Sequence, residues 1–322
     1  MKTMTDFPAP RMVQAGDVTF ATYETGPKDG RPVLLLHGWP ELAFSWSQIM
    51  PALAEAGYRA IAIDQKGFGQ SAKPDDARLY GMDILTADFA RLIEALGYDR
   101  ILLCGHDWGG AMVWPMAYTY PALIEGVIGI CTPHRKRAPA PPIEIYRTKF
   151  SPDHYIVTFQ DLDAPDRVFG GHEERMFRFM FRGSPPRSVW PKLFPALYDQ
   201  IGRFEEFKGF EDSQLIISPD VLKHFAETYA ASGHRTPTHI YRNVDHNWRL
   251  TEGVDLTVHQ PVLMFPAELD IMLPPESADQ MPALCPDLTM HLLRDCGHWA
   301  MWEKPAEINR VMTTWLQQRF PA

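Results

Sequence analysis

Cysteine is scarce in this sequence, with four residues in 322 (Cys104, Cys131, Cys285 and Cys296). None stands at CxxC or other metal-ligand spacing, which argues against a zinc-ribbon site or a disulfide scaffold. Two of them fall in or beside apolar runs, the habit of small buried thiols, and a reducing, cytoplasmic compartment is the expectation. Long apolar runs are lacking too. The stretches reach only four to six residues, far short of the roughly 20 a membrane-spanning helix needs. Met1–Asp6 lacks the apolar core of a secretory signal. Basic runs are nearly absent: nothing exceeds Arg135-Lys136-Arg137, and the formal charge is -9. Nucleic acid is therefore not an expected partner, and the triplet reads as solvated surface.

What is present is an ordinary globular composition, 45% hydrophobic and 22% charged, so a sizeable core can be buried. The length suits one large domain with an insertion, or two domains. Val33–Leu36, Ala60–Asp64, Ile101–Cys104 and Val127–Cys131 are apolar runs of the length expected for strands buried on both faces. Between them Asp83–Gly97 carries Leu85, Phe89, Leu92 and Leu96 on one helical stripe, with Asp83 as expected N-cap and Gly97 as stop. Such alternation predicts a mostly parallel sheet flanked by helices, an α/β fold.

From about His134 the strand pattern stops, and prolines gather at Pro139-Ala140-Pro141-Pro142 and Pro185-Pro186. It returns at Pro261–Phe265 and Leu288–Leu293, before a last helix opened by Pro305 with Ile308, Val311, Met312, Trp315 and Leu316 on one stripe. The prediction is a core from residues 1–133 and 251–322, interrupted by a mostly helical cap over 134–250. Inserts at the carboxyl ends of parallel strands cover the edge where such sheets bind ligands.

Directly after Ile101–Cys104 comes Gly105-His106-Asp107-Trp108-Gly109-Gly110 and then a helix pattern. This is the strand–nucleophile–helix elbow, with Asp where serine hydrolases carry Ser. The turn is sharp enough that side chains two residues either side of the nucleophile would collide, hence the glycines. A carboxylate attacking an acyl carbon gives an anhydride, a poor route to hydrolysis. Attack on a saturated carbon gives an ordinary ester that water can then cleave. Asp107 thus points to an epoxide or an alkyl halide. The plain alternative is an Asp that merely caps a helix.

Further candidates follow in the chain order this architecture uses. Asp270 ends Ala267-Glu268-Leu269-Asp270 behind one strand, and His298 lies in Asp295-Cys296-Gly297-His298-Trp299 behind the next. His298 would take a proton from water and Asp270 would orient it, with Glu268 as the rival acid. His37-Gly38-Trp39-Pro40 follows the strand Val33–Leu36, and Pro40 can lock that turn through a cis bond. The backbone N–H groups of Trp39 and Trp108 would form the oxyanion hole.

His37-Gly38-Trp39-Pro40-Glu41, Asp64-Gln65-Lys66-Gly67-Phe68-Gly69, the elbow and Asp295–Trp299 together resemble the soluble epoxide hydrolases of the α/β-hydrolase fold. The hydrolase domain of the mammalian enzyme is particularly similar, over nearly the whole chain and more loosely through the cap. The resemblance implies that Tyr241, in Ile240-Tyr241-Arg242-Asn243, and Tyr155, in Asp153–Gln160, reach down from the cap to hydrogen-bond the epoxide oxygen. It implies no metal or organic cofactor. Trp39 stands where Phe is common and Ile156 where the mammalian enzyme has an amide, which bears on pocket shape and substrate range. The mammalian enzyme also has an N-terminal phosphatase domain for which this length leaves no room.

Haloalkane dehalogenase is the nearest competing reading, sharing the Asp nucleophile and His base, with Trp108 as a halide-binding counterpart. Trp39 occupies the position where those enzymes offer Asn. A non-catalytic binding protein would be favoured by a broken triad, and this one is complete. The expected partner is a lipophilic small epoxide. The sequence carries no signal of oligomeric state.

Overall fold

The computed structural model describes residues 7–190, 201 and 215–322. The N-terminal hexapeptide screened for a signal lies outside them, as do residues 191–200 and 202–214 of the expected cap. Apolar runs without polar alternation build the middle of an eight-stranded sheet of order β1-β2-β4-β3-β5-β6-β7-β8. The strands are β1 (Arg11–Ala15), β2 (Val18–Thr25), β3 (Pro32–Leu36), β4 (Arg59–Ile63), β5 (Ile101–His106), β6 (Ile124–Ile130), β7 (Val262–Phe265) and β8 (Leu288–Met290). From β4 to β8 all neighbours are parallel.

The sequence reading has no counterpart for β1 and β2. They form an antiparallel hairpin at the sheet edge, with β2 antiparallel to β4. Here polar and exposed residues interrupt the apolar ones, as in Arg11-Met12-Val13-Gln14-Ala15, because an edge ribbon buries only part of its surface. The sheet is thus mixed, and mostly parallel.

Strand pleating sends alternate residues to opposite faces. Leu34, Leu36, Ile61 and Ile63 join a cluster with α2 (Met82–Ala95) and α3 (Trp108–Thr119). Val33, Leu35, Ala60 and Ala62 join another with α1 (Met50–Glu55) and the C-terminal helix Pro305–Arg319. Both faces are therefore covered, which is why the strands carry no polar face.

One cap assignment needs correcting. The N-cap of α2 is Gly81 rather than Asp83, which lies in the first helical turn. The Met82 N–H is instead satisfied by Asn247 Oδ1 at 2.8 Å, from more than 160 residues away. A tertiary contact supplies the cap, so local sequence could not name it.

Between β6 and β7 the described residues form no strand, only an isolated bridge between Arg182 and Leu215. This stretch contains α4 (Tyr155–Thr158), α5 (Glu173–Met180), α6 (Pro219–Ser232) and α7 (Val244–Leu250). It docks on the loops at the carboxyl edge of the sheet. The Tyr229 hydroxyl donates to the Glu41 carbonyl at 3.4 Å, and the Trp299 indole N–H donates to the Met180 carbonyl at 2.5 Å. Among the described residues, no helix is long and apolar enough to cross a membrane. All four cysteines are buried free thiols.

Candidate active site

Between β5 and α3 the chain passes through Asp107 at φ 50° and ψ -118°. That left-handed value is costly for a side-chain-bearing residue and persists only where the surroundings enforce it. Here they do. A Cβ on Gly109 would stand 2.0 Å from the Leu36 carbonyl oxygen, and one on Gly105 would stand 2.4 Å from that of Gly109. Both obstacles are backbone and cannot swing aside. Gly109→Ala should therefore lower unfolding stability by about 3 kcal/mol or more, read from the urea midpoint; an unshifted midpoint would show that the elbow is not sterically locked.

The turn brings the Asp107 carboxylate against the loop after β3. The Trp39 N–H donates to its Oδ1 at 2.8 Å. Gly38 permits this approach, since a Cβ there would lie 2.3 Å from that of Asp107. The Trp39–Pro40 peptide is cis. Trp108 begins α3, so its N–H has no acceptor within the helix. His37 is wholly buried. Its Nδ1 contacts the Gly38 carbonyl at 2.8 Å, and its Nε2 accepts from the Gln65 N–H at 3.1 Å, which pins the loop to the end of β4.

The Asp107 Oδ2 faces His298 Nε2 at 3.6 Å, an ion-pair distance longer than a hydrogen bond. His298 Nδ1 donates to Asp270 Oδ2 at 2.8 Å, while Asp270 Oδ1 accepts the Met272 and Leu273 N–H groups, each at 2.9 Å. Glu268, the rival acid, is turned elsewhere: it accepts the Asp295 N–H at 3.0 Å and lies 3.7 Å from Arg294. Burial opposes a charged imidazole, yet Asp270 and Asp107 outweigh it and raise the His298 pKa well above its ordinary value. Burial likewise opposes ionisation of Asp107, but His298, His106 and the Trp39 N–H prevail and hold the carboxyl below its ordinary range.

A buried pair that the sequence reading passed over supports both loops. The Glu41 Oε2 accepts the Gly38 N–H at 2.9 Å and the His106 Nδ1–H at 2.7 Å. His106 Nε2 in turn meets the His298 carbonyl oxygen at 2.7 Å. Both ring nitrogens thus face oxygen atoms. Burial works against the Glu41 anion, and His106 and the Gly38 N–H reverse the balance, lowering its pKa. His106, Cys131 and His298 are also close enough to suggest a metal site. However, His106 Nε2 and the Cys131 thiol both point at the His298 carbonyl, and His298 is held by Asp270.

In front of Asp107 lies a cavity of about 370 Å³ whose walls include Trp108, Trp114, Tyr118, Tyr155, Tyr241 and Leu256. Tyr155 opens α4 and Tyr241 sits in the short helical turn His239–Asn243. Their rings meet edge to face at 5.6 Å, and Tyr241 stands edge-on to Trp108 at 4.8 Å and to Trp39 at 5.6 Å. Burial, with the neighbouring Tyr155 and Asp107, lifts the Tyr241 pKa well above that of a free phenol. It is a neutral donor at any working pH. Ile156 is also in the wall. In the basic triplet Arg135 and Lys136 are exposed, as solvated surface should be, and all three residues also border this cavity.

The profile of the alpha/beta hydrolase fold matches residues 31–169 and 172–305. Bifunctional epoxide hydrolase 2 of Mus musculus is 33% identical over 297 residues, which is 89% of this chain. This chain spans about half (52%) of the length of that relative. Epoxide hydrolase A of Mycobacterium tuberculosis is 31% identical, with 96% of this chain and 97% of that protein aligned. The crystal structure of Epoxide Hydrolase A from Mycobacterium thermoresistibile superposes with a TM-score of 0.86 at 31% identity, covering 96% of this chain and 98% of that one. On an elbow built round an aspartate, with relatives aligned from end to end, the chain belongs to the epoxide hydrolase family of the α/β-hydrolases.

Proposed function

We propose that this chain hydrolyses epoxides to 1,2-diols through an ester on Asp107, with residues 134–250 as the cap over a core of 1–133 and 251–322. The observation that carries this reading is the neutral Tyr241 phenol beside Tyr155 in the cavity that Asp107 also lines. Opening an epoxide releases an alkoxide, a very poor leaving group unless it is hydrogen-bonded or protonated as it forms. A phenol of raised pKa stays protonated to do this. In the first step an Asp107 oxygen forms the C–O bond, the ring C–O bond breaks, and Tyr241 with Tyr155 delivers the proton, replaced from solvent.

The second step turns the nucleophile into an electrophile. The ester carbonyl oxygen is stabilised by the N–H groups of Trp39 and Trp108, water loses a proton to His298, and the diol leaves as Asp107 is restored. The charge changes help. Esterification removes the Asp107 anion, one of the two carboxylates that raise the His298 pKa, so the imidazole becomes a freer base just when one is needed. His298 is inactive as a base while protonated, so ester breakdown slows as pH falls through its pKa in the ester state. Asp107, with its lowered pKa, still attacks at mildly acidic pH. The alkyl-enzyme fraction in rapid-quench mass spectra is expected to rise several-fold towards acid pH; a fraction independent of pH would contradict the assignment of His298.

Halide release from haloalkanes is the second reading, and one contact weighs against it. The Trp108 indole, the counterpart of a halide donor, is packed edge-on against the Tyr241 ring at 4.8 Å. The experiment is a panel of aryl and alkyl epoxides scored for diol beside haloalkanes scored for halide, repeated with Tyr241→Phe. Diol without halide is expected, and Tyr241→Phe should cut kcat by roughly 10²-fold with little change in thermal midpoint. Halide without diol would make both tyrosines packing residues.

A further inference from the structure

We propose that the chain has a second ligand site, separate from the one at Asp107, which takes an amphipathic monocarboxylate against Lys73 where cap and core meet. A cavity of about 570 Å³ lies there, and it shares no lining residue with the cavity in front of Asp107. Phe7, Leu42 and Phe44 give it apolar wall from the core, and α6 of the cap contributes His224, Thr228 and Ala231. The rings are packed on one another. Phe7 meets Tyr23 at 5.0 Å and Phe44 at 5.1 Å, and His224 stands edge-on to Phe44 at 5.0 Å.

The polar groups of the wall fall into two sets. The acids are already engaged. Asp64 is buried, and its carboxylate accepts the Ala43 N–H at 3.0 Å, the Gln70 N–H at 2.9 Å and the Tyr23 hydroxyl at 3.1 Å. Glu227 is exposed and lies 3.7 Å from Lys223. The donors are not engaged. Lys73 is half-buried, and its ammonium donates only to the Ser71 carbonyl at 3.3 Å. No carboxylate among the described residues comes within ion-pair distance of it. Burial, against the pull of Asp64, lowers the Lys73 pKa, as expected of an ammonium short of a counter-ion. Neither ring nitrogen of His224 nor the Thr228 hydroxyl has a protein hydrogen-bond partner among the described residues. Burial lowers the His224 pKa, with Asp64 and Glu227 opposing, so the ring is neutral at pH 7 and has one N–H to donate. A carboxylate accepts from all three donors, and an apolar body attached to it covers Phe7 and Phe44. A cation would meet the uncompensated ammonium, and an uncharged apolar molecule would desolvate that ammonium without pairing it.

Lys73 and Phe44 belong to the core, His224 and Thr228 to the cap, so a bound ligand ties the two together beside the contact that Tyr229 already makes with Glu41. The test uses 2-naphthoate and 2-naphthamide, which share their rings and differ in charge, followed by equilibrium dialysis and by the thermal midpoint. Wild type is expected to bind naphthoate about tenfold more tightly than the amide, with a midpoint that rises as naphthoate is added. Lys73→Gln should erase the preference. Ala231→Trp, made at an exposed position in the wall, should weaken both probes by filling the space. Arg135→Gln/Lys136→Gln, made at the other cavity, should bind naphthoate as wild type does. Melts without probe show that each variant is folded, and Ala231→Trp keeps the test open if Lys73→Gln is not. No naphthoate binding by wild type, a preference surviving in Lys73→Gln, binding undiminished in Ala231→Trp, or binding lost in the Arg135/Lys136 variant each overturns the inference. None of these outcomes bears on the epoxide reading, which concerns the other cavity.

Discussion

Asp107→Ala is expected to abolish diol formation, with kcat falling by roughly four or more orders of magnitude. No other carboxylate among the described residues lines the cavity. Asp270 and Glu41 are both fully buried, the first committed to His298 and two N–H groups, the second to His106 and Gly38. Neither can take over attack on carbon. The Asp107 side chain caps no N–H of α3, so its loss should not unwind the helix. Steady-state turnover of any reactive epoxide, beside the far-ultraviolet spectrum of the variant, makes the comparison. Wild-type turnover in a folded Asp107→Ala protein would sink the two-step scheme, because the nucleophile would then lie elsewhere.

His298→Gln is expected to separate the two steps. The variant keeps Asp107, and the Trp39 N–H on its Oδ1 remains, so ring opening proceeds. It lacks a base to activate water, a contribution worth roughly 10²–10⁴-fold, so the ester should accumulate to about one adduct per chain. Intact-protein mass spectrometry reads this directly, and the increment carries chemical information. An epoxide adds its whole mass, because ring opening expels nothing. A haloalkane would add its mass less hydrogen halide. No adduct, with turnover as in wild type, would mean that His298 only packs against Asp270 and Asp107. The same spectrum in Asp270→Asn should show a smaller adduct fraction, since the histidine there loses its orienting anion but stays in place.

Much of the core was readable because its signals are local. Unbroken apolar runs at β3, β5, β6 and β7 leave a buried parallel strand as the natural reading, and the elbow glycines are required by backbone atoms only a few residues or one strand away. The edge hairpin of β1 and β2 was not readable in the same way, since half-exposed strands dilute the apolar pattern with polar residues. The cap of α2 escaped because Asn247 provides it from another part of the chain.

The site divides along the same line. Residue type and order along the chain sufficed to nominate Asp107, Asp270 and His298, because an aspartate on a strand–helix elbow restricts the chemistry to attack on saturated carbon. Type and order do not measure separation. Glu268 and Asp270 are two residues apart, and the chain direction after β7 turns only Asp270 to His298. Glu41 and His106 read as ordinary motif members until the fold stacks their loops into a buried pair. Arg135, Lys136 and Arg137 read as solvent-facing charge, and Arg135 and Lys136 are exposed; that the triplet also borders the cavity only the fold reveals. The sequence by itself determined the strands, the elbow and the reacting groups, since these depend on neighbours along the chain. The tertiary structure alone decided which carboxylate lies against the histidine, which buried pair braces its loop and which side chains line the cavity, since each depends on residues brought together from distant segments.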